Sequence, residues 1–107
     1  MKLISFGYKN RTAPKADHVF DCRSLPNPHD VPELRGKLGT DQAVQDYVLQ
    51  SAQFDVILAA IPVGDATLAF GCTGGTGRSV AVVTMVARLL ENAGKTVDVL
   101  HMELPRL

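Results

Sequence analysis

The segment Gly71 to Val80, GCTGGTGRSV, constrains this chain more than any other. It follows an apolar run and precedes residues of helical character that begin near Arg78, so the backbone passes from a strand into a helix through a loop of small residues. Glycines at 74, 75 and 77 let backbone N–H groups turn inward with no Cβ in the way, and the first turn of the helix adds unpaired N–H groups and a positive dipole end. Such a junction is an anion cradle. Arg78 can add a two-pronged contact to phosphate oxygens, and the hydroxyl of Thr73 or Ser79 can donate to the anion or to a thiolate at Cys72.

The rest of the chain supplies the frame for that loop. Lys2 to Phe6, closed by Gly7, and His18 to Cys22 read as short buried strands, Thr67 to Gly71 as a third strand and Thr96 to His101 as a fourth. Thr40 or Asp41 can cap a helix in which Val44, Tyr47 and Val48 recur at helical spacing. Phe54, Ile57, Leu58 and Ile61 continue the pattern to Pro62, as one long helix or two short ones. A further helix is predicted over Arg78 to Asn92, ended by Gly94. Thr84, Arg88, Glu91 and Lys95 confine its polar side to a narrow stripe, so the remaining surface packs deeply or faces another copy of the chain. Strands alternating with helices imply an α/β fold: one small domain over residues 1–107, with a mainly parallel sheet of about four strands and flanking helices. Ligands of such sheets bind at the carboxyl ends of the strands.

Between Arg23 and Thr40 the chain carries Pro26, Pro28 and Pro32 and no sustained period. It reads as a long, stiff loop, a kind of connection that is more often functional than idle. Arg23, Asn27, His29 and Arg35 become candidates on that ground.

Composition narrows the function. The apolar fraction of 46% and charged fraction of 21% are those of an ordinary folded domain. Lys plus Arg and Asp plus Glu number 11 each, so no overall field draws the chain to nucleic acid or to an anionic membrane. Two cysteines, Cys22 and Cys72, do not make a disulfide framework and are expected as reduced thiols. No apolar run has the length of a signal peptide or of a membrane span of about 20 residues, and the expected compartment is the cytoplasm. No cofactor and no metal are expected.

Two loop patterns overlay the cradle. The Walker pattern G-x-x-x-x-G-K-[ST] is met only at Gly77 and Ser79, because Cys72 stands at its first glycine and Arg78 at its lysine, which excludes a nucleoside triphosphatase. The signature of cysteine-dependent phosphatases, a cysteine, five residues, arginine, then serine or threonine, is met by Cys72, Gly75, Arg78 and Ser79, with Gly71 in place of the usual preceding histidine. On that reading Cys72 attacks phosphorus, Arg78 steadies the equatorial oxygens and Asp21, Asp30 or Asp41 protonates the leaving group.

A wider set of segments, SFGYK (5 to 9), AD-x-VFD-x-RSLPNPH (16 to 29), VPELR (31 to 35), G-x-D-x-x-V-x-DYV (39 to 48) and GCTGG-x-x-RSV (71 to 80), resembles the C-terminal domain of the RapZ/YvcJ family. In that family the domain follows an N-terminal P-loop nucleotide-binding domain, and this chain is expected to be the C-terminal module standing alone. The resemblance implies a regulatory domain that senses an amino-sugar phosphate, glucosamine-6-phosphate, and that also binds a small regulatory RNA as an adaptor for a ribonuclease. It implies ligand contacts from Cys72, Thr73, Gly74, Gly75, Arg78 and Ser79 and from Asp21, Arg23, Asn27 and His29. Thr76 and Gly77 complete the loop where the family commonly has a basic residue and a histidine, and MELPRL replaces a basic tail. A phosphorylated small molecule is therefore the first expected ligand and RNA the second, with no membrane contact and with another copy of the chain as a further partner.

Each candidate also has a purely structural reading. Cys72 is either a buried thiol or part of the site, whereas Cys22 reads as structural. Arg78 either caps local carbonyls or meets an anion; Asp21 and Arg23 either pair to fix a strand end or contact ligand, and Arg35 has the same two readings. His29 is a solvated side chain or a donor to the site, and His18 and His101 read as strand-end residues.

Overall fold

The apolar runs assemble into a parallel sheet. In the computed structural model, which describes residues 1–105, the strands are β1 (Lys2–Gly7), β2 (His18–Asp21), β3 (Thr67–Cys72) and β4 (Asp98–His101). Their order is β2-β3-β1-β4 and every neighbouring pair is parallel, with Ile4 opposite Ala69, Phe20 opposite Phe70 and Ser5 opposite His101. The central strands β1 and β3 are the apolar ones, as strands flanked on both sides must be. β2 differs from its expectation as a buried strand. It lies at the sheet edge, and Val19 is 46% exposed, because an apolar run does not reveal which neighbours a strand will have.

Helices α1 (Gln42–Leu49), α2 (Ala52–Ala59) and α3 (Arg78–Asn92) supply one side of the core. Asp41 caps α1 by accepting from the Ala43 N–H at 2.9 Å. The pattern that could have been one helix is broken at Ser51, whose hydroxyl accepts from the Gln53 N–H at 3.1 Å and starts α2 afresh. α3 stops as its sequence demands: Gly94 has φ +86°, and the N–H groups of Gly94 and Lys95 bond back to the carbonyls of Glu91 and Leu90. Most of its apolar surface, including Val80, Val82, Val83 and Val86, is consumed in the core.

Leu3, Leu68, Phe70 and Cys72 on one sheet face join Val44, Val48, Phe54, Ile57 and the α3 valines in one cluster. Ile4, Phe6 and Ala69 on the other face are covered by Tyr8, Ala16, Leu100 and Met102 rather than by a helix, with the Phe6 and Tyr8 rings edge to face at 4.8 Å. The proline-rich connection is not without structure. It forms two 3-10 turns, Pro28–Asp30 and Pro32–Leu34, each opened by a proline whose fixed φ suits the first position and whose missing N–H is not needed there. Among the described residues no helix is long and apolar enough to cross a membrane.

Leu68 on β3 is completely buried, whereas Val63 on the loop before it is 87% exposed. Leu68→Ala should cost about 2–5 kcal/mol in urea unfolding and Val63→Ala less than about 0.5 kcal/mol.

Candidate functional site

A cleft of about 420 Å3 opens at the carboxyl ends of β1 and β3. One wall is the loop from Cys72 to Arg78, and the facing wall is built from residues 27–29 and 34–38 of the proline-rich connection, with Lys9 at the end of β1. The two walls are fastened to each other, since the Gly39 N–H donates to the Thr76 carbonyl at 2.8 Å. A Cβ on Gly39 would run into the Gly77 carbonyl and the Ala81 nitrogen, so only glycine allows this approach.

The loop is pinned from inside by sulfur. The N–H groups of Gly75 and Ser79 both point at Cys72 Sγ, at 3.3 and 3.4 Å, and the Ser79 hydroxyl lies 3.2 Å from it. Of the three glycines between Cys72 and Arg78, only Gly75 needs to be one: its φ is +79°, and a Cβ there would meet the Glu103 side chain and the Gly7 nitrogen. Gly74 has open space at its Cβ position and Gly77 meets nothing closer than Pro28 at 3.8 Å. Among the described residues no acceptor bonds the backbone N–H of Gly74, Thr76 or Gly77, and all three residues line the cleft.

The cleft is cationic. Lys9, Arg35, Lys37 and Arg78 line it together with His29, while no Asp or Glu does so among the described residues. Arg78 is only 8% exposed. Its Nη1 donates to the Arg23 carbonyl at 2.6 Å and reaches the Leu25 carbonyl at 3.4 Å, and its Nη2 reaches Thr73 Oγ1 at 3.4 Å. The guanidinium therefore ties the loop to the segment that follows β2, and Arg78 itself belongs to the cleft lining. Asn27 and His29 also line the cleft, but the Asn27 side chain is committed to accepting from the His29 N–H at 3.1 Å, and the His29 carbonyl accepts from Arg35 Nε at 2.7 Å.

Three of the ligand contacts expected from the sequence, Asp21, Arg23 and Ser79, lie outside the lining. Asp21 and Arg23 form a two-pronged ion pair, with Nη2 2.7 Å from Oδ2, and the Arg23 guanidinium sits 3.9 Å over the Tyr8 ring. The hydrogen bond from Arg23 holds the Asp21 carboxyl below the usual carboxylate range. Ser79 is completely buried between Cys72 Sγ and the Phe6 carbonyl. Sequence reasoning passed over Lys9, Lys37 and Glu103. Lys9 was within reach, because it stands two residues past the end of a strand in a sheet whose ligands bind at strand ends. Glu103 carried no such signal: its carboxylate accepts from the Gly7 N–H at 3.0 Å and from Arg11 at 2.7 and 3.1 Å, tying the C-terminal turn beneath the loop. His101 Nδ1 lies 2.7 Å from Ser5 Oγ, and burial lowers its pKa.

The family model described as the RapZ C-terminal domain matches residues 1–105. A nucleotide-binding protein of Thermobifida fusca is 42% identical over 118 residues, covering 97% of this chain and 40% of its own length. One from Ruegeria sp. (strain TM1040) is 40% identical over 98% of the chain, and one from Corynebacterium aurimucosum is 43% identical over 97%. The chain spans about two-fifths of the length of these curated relatives.

The hydrogen bond from Arg11, aided by the Gly7 N–H, holds the Glu103 carboxyl below its ordinary range against the opposing effect of burial. A lowered carboxyl pKa stabilises the fold above the unfolded value and ceases to do so as pH falls through the folded value. The wild type should therefore be more stable than Glu103→Gln at pH 7, and the gap should close on acidification below about pH 4, in thermal melts run at matched ionic strength.

Proposed function

The chain belongs to the RapZ C-terminal domain family, and with that as the premise we propose that it is a regulatory domain whose cleft binds the phosphate of a small metabolite in the cytoplasm. The observation that carries this reading is the set of backbone N–H groups at Gly74, Thr76 and Gly77 that no acceptor bonds among the described residues, in a loop that lines the same cleft as Lys9, Arg35, Lys37 and Arg78. Free N–H donors beside a helix N-terminus suit a phosphate, and nearby cations add charge-assisted bonds without a carboxylate in the lining to repel it. An amino-sugar phosphate such as glucosamine-6-phosphate is the ligand the family resemblance implies. Its sugar would lie toward Asn27, His29 and the 34–38 segment. The relatives named for nucleotide binding make a nucleoside phosphate the competitor to test.

Phosphatase chemistry is the second reading, favoured by the N–H groups aimed at Cys72 Sγ. Among the described residues, none of the three carboxylates it would use as a proton donor lines the cleft. Asp21 is tied to Arg23, and neither Asp30 nor Asp41 lines the cleft. A binding site needs no such donor. RNA, the other partner implied by the family, would have to bind through local basic residues, since the chain has no net charge.

Thermal melts with inorganic phosphate, glucosamine-6-phosphate, glucosamine and adenosine monophosphate test the proposal. A ligand at about ten times its Kd stabilises the native state by about 1.4 kcal/mol, or about 5–10 °C for a chain of this size. The sugar phosphate should give that shift, phosphate a smaller one and glucosamine none. Lys37→Ala should reduce the shift while leaving the unliganded midpoint within about 2 °C of wild type, as befits an exposed residue. A shift with the nucleotide alone would reassign the ligand, and no shift with any phosphate would overturn the reading.

A further inference from the structure

We propose that Cys22 and Cys72 form a reversible disulfide and that closing it disarms the anion loop; the second half of this proposal rests on the phosphate-binding reading, the first does not. β2 and β3 run in parallel register with Asp21 opposite Gly71, and the ladder continues one step, the Cys22 N–H donating to the Gly71 carbonyl at 2.7 Å. Cys22 is thus carried to a position beside Cys72. The side chains share a face as well. Two pairs earlier in the same register, Phe20 and Phe70 stack with centroids 4.9 Å apart and planes 13° from parallel. Residues two apart on a strand point the same way, and Cys22 and Cys72 both belong to the cluster beneath the helices. Neighbouring strands lie about 4.8 Å apart, inside the window of about 4.4–6.8 Å between Cα atoms that a disulfide spans. Both thiols are free in the structure.

The two sulfurs are not equivalent, which sets the order of events. Cys72 lines the cleft and Cys22 does not, so an oxidant arriving from solvent meets Cys72 first. Burial, with Cys72 and Asp21 close by, pushes the Cys22 thiol up, and it keeps its proton until it reacts. With a peroxide as oxidant, Cys72 sulfur attacks one oxygen, the O–O bond breaks, and the departing hydroxide takes a proton to leave as water. Cys22 sulfur then attacks the sulfenic Cys72 sulfur, the S–S bond forms and the S–O bond breaks. The Cys22 proton leaves with that oxygen as a second water. Two thiols are oxidised and one peroxide is reduced.

The consequence follows from what Cys72 Sγ does when reduced. It accepts from the N–H groups of Gly75 and Ser79, which hold the turn of the loop and the start of α3. A sulfur turned toward Cys22 gives up those contacts, and Gly75, held at φ +79° above Glu103, loses the bond that fixes its orientation. The N–H groups presented to a phosphate are displaced with it.

Intact-mass measurement on the full chain treated with stoichiometric hydrogen peroxide tests the first half. A fall of about 2 Da with loss of both free thiols, reversed by dithiothreitol, is expected. Cys22→Ala should instead yield a Cys72 sulfenic acid trapped by dimedone. Mass gains of one or more oxygens in the wild type without the loss of two hydrogens, or a covalent dimer, would overturn it. The second half is read from thermal melts with glucosamine-6-phosphate: the ligand-dependent shift should vanish in the oxidised protein, return on reduction, and persist in peroxide-treated Cys22→Ser after reduction of any sulfenic acid. An undiminished shift in the disulfide form would refute the gating. No shift in the reduced wild type would refute the phosphate site while leaving the disulfide standing on its mass.

Discussion

The pairing of β1 with β3, unbroken from Lys2 opposite Thr67 to Gly7 opposite Cys72, sets where everything else can go. The ladder continues past the strand ends, through the N–H of Tyr8 to the Cys72 carbonyl and that of Lys9 to the Thr73 carbonyl. The residue that follows the first strand is thereby delivered to the rim of the glycine loop. The same register brings Gly7 against Gly74 and Gly75, a contact so close that a Cβ on Gly7 would lie 2.5 Å from the Gly74 carbonyl oxygen. The loop cannot move toward the sheet. Glu103 anchors to the Gly7 N–H beside it, and Cys72 sulfur holds the loop from within.

Within this frame the strongest cation of the loop serves two masters. Arg78 is buried by donating to carbonyls of the segment that follows β2, and those carbonyls are where they are because Asp21 and Arg23 lock the turn between them. The stretch that leads from β2 into the facing wall is therefore held by a side chain of the cleft lining. The Cys72–Arg78 loop and the segment that follows β2 are mechanically joined through one guanidinium.

The elements that sequence reasoning located well were those decided locally. β1 and β3 are short apolar runs closed by small residues, and α3 carries its own stop signal at Gly94. The break between α1 and α2 stayed open because Val44 and Val48 share their period with Phe54 and Ile57, and only the hydroxyl of Ser51 distinguishes two helices from one. The glycine loop was legible as a feature but not in its economy: three glycines invited the same explanation, and only the one with φ +79° requires it. Arg23 came forward from the proline-rich stretch and Asp21 as a possible acid, both again through family resemblance, and the structure gives them to each other rather than to the cleft lining. Lys37 and Glu103 reach the loop from distant parts of the chain, and no spacing in a single sequence encodes such a meeting.

The strand order has a temporal side. β1 occupies the middle of the sheet, yet both of its partners, β3 and β4, come much later in the chain. As the polypeptide emerges from a ribosome at about 5–20 residues per second, the apolar Leu3, Ile4 and Phe6 have no strand to pair with for several seconds. One edge is filled when Thr67–Cys72 appears, and the other stays open until Asp98–His101 arrives. Because both of its pairings are non-local, β1 is the segment most in need of shielding from other nascent chains.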